Sequence, residues 1–70
     1  MNLIINGEQK IINANSQVAN LAIVIKELGF NPKLIVVEFN GLILSPQVWE
    51  TQEVRDGDIL EIVTIVGGGC

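Results

Sequence analysis

The sequence predicts an α+β domain: a mixed sheet of four to five strands, one main helix packed on one face, and a flexible tail leaving the last strand. Three observations carry this reading. Apolar runs are broken twice by Asn-Gly, at Asn6-Gly7 and Asn40-Gly41; a single stretch of helical spacing lies between them; and a β-branched closing run empties into Gly67-Gly68-Gly69-Cys70. The expected division is a folded domain over residues 1–66 and a tail over 67–70.

Leu3, Ile4 and Ile5 run into Asn6-Gly7, and apolar residues resume at Ile11 and Ile12. Asn and Gly both tolerate positive φ, so the pair suits a type I′ turn whose twist matches that of the strands, and a hairpin opens the domain. Asn15 or Ser16 then caps the one long helix, in which Val18, Leu21, Ala22, Ile25 and Leu28 form the apolar stripe toward Gly29. Asn20 and Lys26-Glu27 face water, and Ile23 and Val24 widen the stripe to where partial exposure is expected. Asn31-Pro32 prevents the helix from continuing. The run from Leu34 to Phe39 reads as a central strand buried on both faces or nearly so. Asn40-Gly41 repeats the hairpin signal ahead of Leu42-Ile43-Leu44, and Ser45-Pro46 starts a brief helical turn near Val48, with Trp49 plugging the edge of the core. Arg55-Asp56-Gly57-Asp58 is a tight turn with positive φ at Gly57, and the final strand spans Ile59 to Val66. A right-handed crossover lets the first and last long strands lie parallel in the middle of the sheet. That order of elements is the β-grasp, or ubiquitin-like, arrangement.

Composition removes several classes of function. A chain of 70 residues has room for one core, and 49% hydrophobic residues supply it without disulfides, since Cys70 has no partner within the chain. Nothing resembles a secretory leader, and no apolar run approaches the roughly 20 residues of a membrane helix, so a cytoplasmic protein without membrane association is expected. The net charge of −4, with Lys10, Lys26, Lys33 and Arg55 scattered, argues against nucleic-acid binding. No histidine and one cysteine leave no usual metal site and no His-based acid, base or triad. Glu50, Glu53, Asp56, Asp58 and Glu61 read as solvated rim and turn residues, and no residue is assigned a catalytic role.

The tail is where function points. Three glycines directly after a β-branched strand have no side chains to pack and lose the most backbone entropy on ordering, so ordering calls for a partner. The last four residues reach roughly 13 Å, enough to enter a narrow enzyme channel that a bulky side chain would jam. If a terminal carboxylate is the reacting group, glycine leaves its carbonyl open from every side. The plain alternative is a frayed chain end. Ile65 and Val66 beside the tail, with Glu61 on the same late strand, form a candidate partner surface, for which core packing or solvation is the competing reading.

Asn6-Gly7-Glu8, Val37-Glu38-Phe39-Asn40-Gly41, Trp49, Asp56-Gly57-Asp58 and Ile62-Val63 leading to Val66-Gly67-Gly68-Gly69 follow one another as they do in the ThiS family, which the chain resembles over essentially its whole length. The resemblance implies a sulfur carrier, not an enzyme, in synthesis of the thiazole moiety of thiamine. An E1-like adenylyltransferase of the ThiF type would use ATP to adenylate the glycine carboxylate, here Gly69, and the carrier itself would bind no cofactor. A sulfur donor such as a cysteine desulfurase would convert the adenylate to a thiocarboxylate, and a thiazole synthase of the ThiG type would accept the sulfur. Cys70 departs from the family's terminal glycine and caps the Gly69 carbonyl. Three accounts stand: a peptidase cleaves between Gly69 and Cys70, the cysteine is an addition to the natural chain, or the thiol itself is used, although nothing nearby is cationic enough to activate it. Two alternatives to the thiamine role are a carrier for a molybdopterin or cysteine pathway and a ubiquitin-like binding module with no activated tail.

Overall fold

The computed structural model describes residues 1–12 and 19–65. Strands β1 (Asn2–Ile5) and β2 (Glu8–Ile11) form the opening antiparallel hairpin, and its turn has φ of 52° at Asn6 and 81° at Gly7. Both values lie in the left-handed region that Asn and Gly enter most readily, which is why this dipeptide sets the register Ile5↔Glu8. Asn40-Gly41 repeats the conformation between β4 (Ile35–Phe39) and β5 (Leu42–Leu44), with φ of 50° and 87°. The last strand, β7 (Ile59–Thr64), starts after the turn at Gly57, whose φ is 90°. Val66 and the tail from Gly67 to Cys70 lie outside the described residues.

The main sheet has five strands in the order β2-β1-β7-β4-β5. β7 occupies the middle, parallel to β1 through Ile4↔Ile59 and Ile5↔Leu60 and antiparallel to β4 from Ile35↔Thr64 to Phe39↔Leu60. The first and last long strands are therefore parallel neighbours, as expected. A two-residue pairing of β3 (Ala19–Asn20) with β6 (Glu53–Val54) forms a second, minimal sheet that sequence patterning did not reveal.

That small sheet corrects the helix. α1 spans only Leu21–Glu27, and its cap is Asn20, not Asn15 or Ser16, which with Val18 lie outside the described residues. Pairing with β6 holds Ala19 and Asn20 extended. The Asn20 carboxamide accepts from Ile23 N, while Leu21 N and Ala22 N donate to the carbonyls of Gln52 and Trp49. The unsatisfied donors of a helix start thus find tertiary partners that no propensity scale registers. Of the two flanking residues expected to be partly exposed, Ile23 is 47% exposed and Val24 is fully buried. Short 3₁₀ turns at Pro32–Leu34 and Pro46–Val48 begin with the two prolines, the first capped by Asn31 and the second preceded by Ser45 without a side-chain bond.

The core lies between α1 and one face of the sheet. Leu21, Val24 and Ile25 cluster with Leu3, Ile5, Ile35, Val37, Leu60 and Ile62, and Trp49 closes the edge with its indole N–H donating to the Leu44 carbonyl at 3.0 Å. β4 departs from the expectation of burial on both faces: Ile35 and Val37 are buried, whereas Val36 is exposed. Among the described residues a single seven-residue helix covers one side of the sheet.

Asn6 bonds to β7 through its side chain as well as its backbone, so its two contributions separate by substitution. Asn6→Gly keeps the turn and loses the carboxamide, at an expected cost of about 1–2 kcal/mol in urea denaturation. Asn6→Ala adds left-handed strain of about another 1 kcal/mol.

Candidate functional site

The geometry that bears on function is the exit of β7. Parallel pairing places Asn6, one residue beyond the end of β1, level with the second half of β7. Its backbone N–H donates to the Leu60 carbonyl at 2.9 Å. Its carboxamide then does what a further strand residue would do: Oδ1 accepts from Ile62 N at 2.7 Å and Nδ2 donates to the Ile62 carbonyl at 3.1 Å. Asn40 acts likewise at the start of the strand, accepting from Ile59 N and donating to Asp58 Oδ1. On the other side β4 pairs to Thr64, and Ile65 N donates to the Leu34 carbonyl. β7 is thus bonded along its length up to the residue before Val66. A tail leaving such a strand starts from a fixed root.

Of the residues singled out in the sequence, the structure describes Glu61 and Ile65; Val66, Gly67, Gly68, Gly69 and Cys70 lie outside the described residues. Glu61 and Ile65 share the face of the sheet turned away from α1. Residues directly opposite one another in a sheet share a face, so the register assigns to it Ile4, Gln9, Ile11, Val36, Glu38, Ile43, Ile59, Glu61 and Val63. Four of its apolar members are more than half exposed: Ile11 at 77%, Ile43 at 66%, Val63 at 63% and Ile65 at 51%. The outer face is therefore a broad apolar surface adjoining the tail root, interrupted by Glu38 and Glu61, which face one another across β4 and β7.

Sequence reasoning named Glu61 and Ile65 but passed over Val36, Glu38, Ile43 and Val63 as parts of a surface. The signal was present: Leu34 to Phe39 is apolar at both parities, and with one helix to share only one parity finds cover. Elsewhere, a shallow concavity lined by Asn2, Leu3, Ile4, Gly7, Gln9, Asp56 and Gly57 sits at the opposite end of β7 from the tail. Its one charged group, Asp56, already accepts from Asn2 N. Glu50, Glu53, Asp56 and Asp58 sit in turns and edges at the surface, among them the exposed Arg55–Glu53 pair. No grouping of three or more His, Cys, Asp or Glu suited to a metal occurs among the described residues, and no helix among them is long and apolar enough to cross a membrane.

A mixed sheet with parallel first and last strands and one helix across it defines a ubiquitin-like β-grasp domain. The ThiS family model matches residues 3–69. The crystal structure of the thiamine biosynthesis protein ThiS from Geobacter metallireducens superimposes with a TM-score of 0.81 at 28% identity, covering 99% of this chain and all of the other, and its solution structure gives 0.79. An uncharacterized protein, ycf40, of Trieres chinensis is 37% identical over 65 residues, 93% of this chain and 85% of its own. A thiazole synthase of Paramagnetospirillum magneticum is 39% identical over 69 residues, which make up 99% of this chain but only 20% of that much longer protein. The chain belongs to the ThiS family, small non-catalytic carrier proteins of thiamine biosynthesis.

The two faces of the sheet should respond differently to the same chemistry. Val63→Thr on the outer face is expected to change unfolding free energy by less than about 0.5 kcal/mol. Val37→Thr, which buries a hydroxyl in the core, is expected to cost about 2–3 kcal/mol in the same urea titration.

Proposed function

We propose that this chain carries sulfur as a thiocarboxylate at Gly69 and delivers it to the enzyme that builds the thiazole ring of thiamine. The observation that carries the reading is the placement of β7, the central strand of a ThiS-family domain, bonded up to Ile65 and continuing in sequence to Gly67-Gly68-Gly69. The domain supplies recognition, and the glycines supply a chain thin enough to enter an active site.

The chemistry follows from what a carboxylate lacks. It is a poor electrophile until it has a leaving group, so a Gly69 oxygen attacks the α-phosphorus of ATP in an E1-like adenylyltransferase, forming the acyl adenylate and releasing pyrophosphate. A donor such as a cysteine desulfurase hands over sulfur as a persulfide, whose terminal sulfur attacks the carbonyl carbon and expels AMP to give an acyl disulfide. A thiol that attacks the donor's sulfur supplies the two electrons that release the thiocarboxylate. The resulting thiocarboxylate presents nucleophilic sulfur on a protein handle. Gly69 is followed by Cys70, so the sequence of steps begins with hydrolysis of the Gly69–Cys70 peptide bond by a peptidase. The thiazole-synthase relative, which contains a stretch like this whole chain, supports that enzyme as the sulfur acceptor. Docking falls to the late strands beside the tail, with Glu61, Ile65 and Val66 in the contact.

Deletion of residues 67–70 separates a carrier from a plain docking module. The expected outcome in a reconstituted thiazole-forming assay is activity from a chain ending at Gly69 and none from the deletion, with both melting at the same temperature. Equal support from the two chains would leave only a binding role.

A further inference from the structure

Both hairpin turns rest on a dipeptide with covalent chemistry of its own. In Asn6-Gly7 and Asn40-Gly41 an asparagine carboxamide precedes a residue with no side chain to shield its nitrogen, the pairing in which a backbone nitrogen most readily attacks Cγ. At the other described asparagines, in Asn2-Leu3, Asn20-Leu21 and Asn31-Pro32, a bulky side chain or a proline ring hinders that approach. The fold uses the two susceptible carboxamides as hydrogen-bonding groups. Asn6 Oδ1 accepts from Ile62 N at 2.7 Å and Nδ2 donates to the Ile62 carbonyl at 3.1 Å. The pairing of β1 with β7 ends at Ile5↔Leu60, so the carboxamide takes up both backbone groups of Ile62 that a longer β1 would have taken. A carboxamide reaching across to β7 cannot also fold back onto the nitrogen of its own successor. Asn40 makes the equivalent bonds to Ile59 N and Asp58 Oδ1, but these lie at the exposed surface, in a turn leading to the short edge strand β5. The bonds to Ile62 are partly buried, beside the strand at the centre of the sheet.

We propose that Asn6 is a self-modification site gated by the β1–β7 pairing, and that its conversion undoes the bonds that hold Ile62. When β1 parts from β7, the Gly7 nitrogen forms a bond to Cγ, the Cγ–Nδ2 bond breaks, and ammonia leaves with the Gly7 proton. Water then opens the cyclic imide, at Cγ to give aspartate or at the former backbone carbonyl to give isoaspartate. The net exchange is water for ammonia, with no oxidant, reductant or enzyme. Aspartate at this position turns a carboxylate oxygen toward the Ile62 carbonyl, where Nδ2 had donated, so acceptor meets acceptor. Isoaspartate carries the main chain through Cγ and lengthens the two-residue turn that fixes Ile5↔Glu8. Either product loosens β7 in the half that leads to the tail, and refolding does not restore it. The chain thereby accumulates a chemical record of how often β1 opens, whether or not it carries sulfur.

The test is peptide mapping by mass spectrometry on the full chain aged in native buffer and across a guanidinium series, with electron-transfer fragmentation to separate aspartate from isoaspartate. In the unfolded chain Asn6 and Asn40 are expected to convert at rates within about threefold of each other. In native buffer Asn6 should slow by at least about tenfold, and by more than Asn40, and through the unfolding transition its rate should follow the unfolded fraction. Native-state hydrogen exchange then reads the consequence. In the chain converted at Asn6 the Ile62 amide should exchange at least about tenfold faster than in the parent, a larger gain than at Val24 and Ile25 of α1, which report global opening. Asn6→Gly keeps the turn and lacks the carboxamide, so it should show the same gain at Ile62 even if the converted chain does not fold. Conversion of Asn6 in native buffer within about twofold of its unfolded rate, or ahead of Asn40 in the folded chain, overturns the proposal. So does an absence of conversion in denaturant, or an Ile62 amide in Asn6→Gly that gains no more than those of α1.

Discussion

The parallel pairing of β1 with β7 is the constraint on which the rest of the structure depends. It brings the last strand into the middle of the sheet, where β1 and β4 hold it from both sides, and so gives a chain end the rigidity normally reserved for a core. Because β1 ends in a tight turn, the ladder would stop at Leu60 if backbone alone were available. The Asn6 carboxamide extends it to Ile62. The residue that makes the turn possible by accepting positive φ also completes the strand that leads to the tail.

A second constraint is size. With α1 only seven residues long, the described residues cover one face of the five-stranded sheet and leave the other open. Leu60, Ile62, Ile35 and Val37 are sealed beneath it, while Ile59, Val63 and Val36 on the same strands stay open. In a larger protein a second layer would sit there. In this ThiS-family chain the uncovered face runs along β7 to Ile65, the last described residue before the glycines.

Much of this was legible in the sequence, and the parts that were not have physical reasons. Asn6-Gly7 and Asn40-Gly41 fixed both hairpins because few residue pairs accept two successive positive φ values. Pro46 marked the second 3₁₀ turn because proline presets φ, whereas Pro32 was read only as a helix stop and the turn it begins, which takes Leu34 out of β4, was not expected. The start of the helix was misplaced because Val18 and Leu21 fit its period, whereas the true boundary is set by Ala19 and Asn20 pairing with Glu53 and Val54, a contact more than 30 residues away in sequence. The outer face went unread for a similar reason. Periodicity reports that Val36 and Ile35 are both apolar, but only the tertiary structure reports that one helix is available to cover them.

The measurement that bears most directly on the carrier account is intact-protein mass spectrometry of the chain ending at Gly69, after incubation with ATP, a competent E1-like adenylyltransferase and a sulfur source. The account requires a mass gain equal to exchange of one oxygen for sulfur, located at Gly69 by fragmentation, with none on the chain that retains Cys70 unless a peptidase is added. An unchanged mass on the trimmed chain, with the same enzyme shown to modify another carrier, would contradict it.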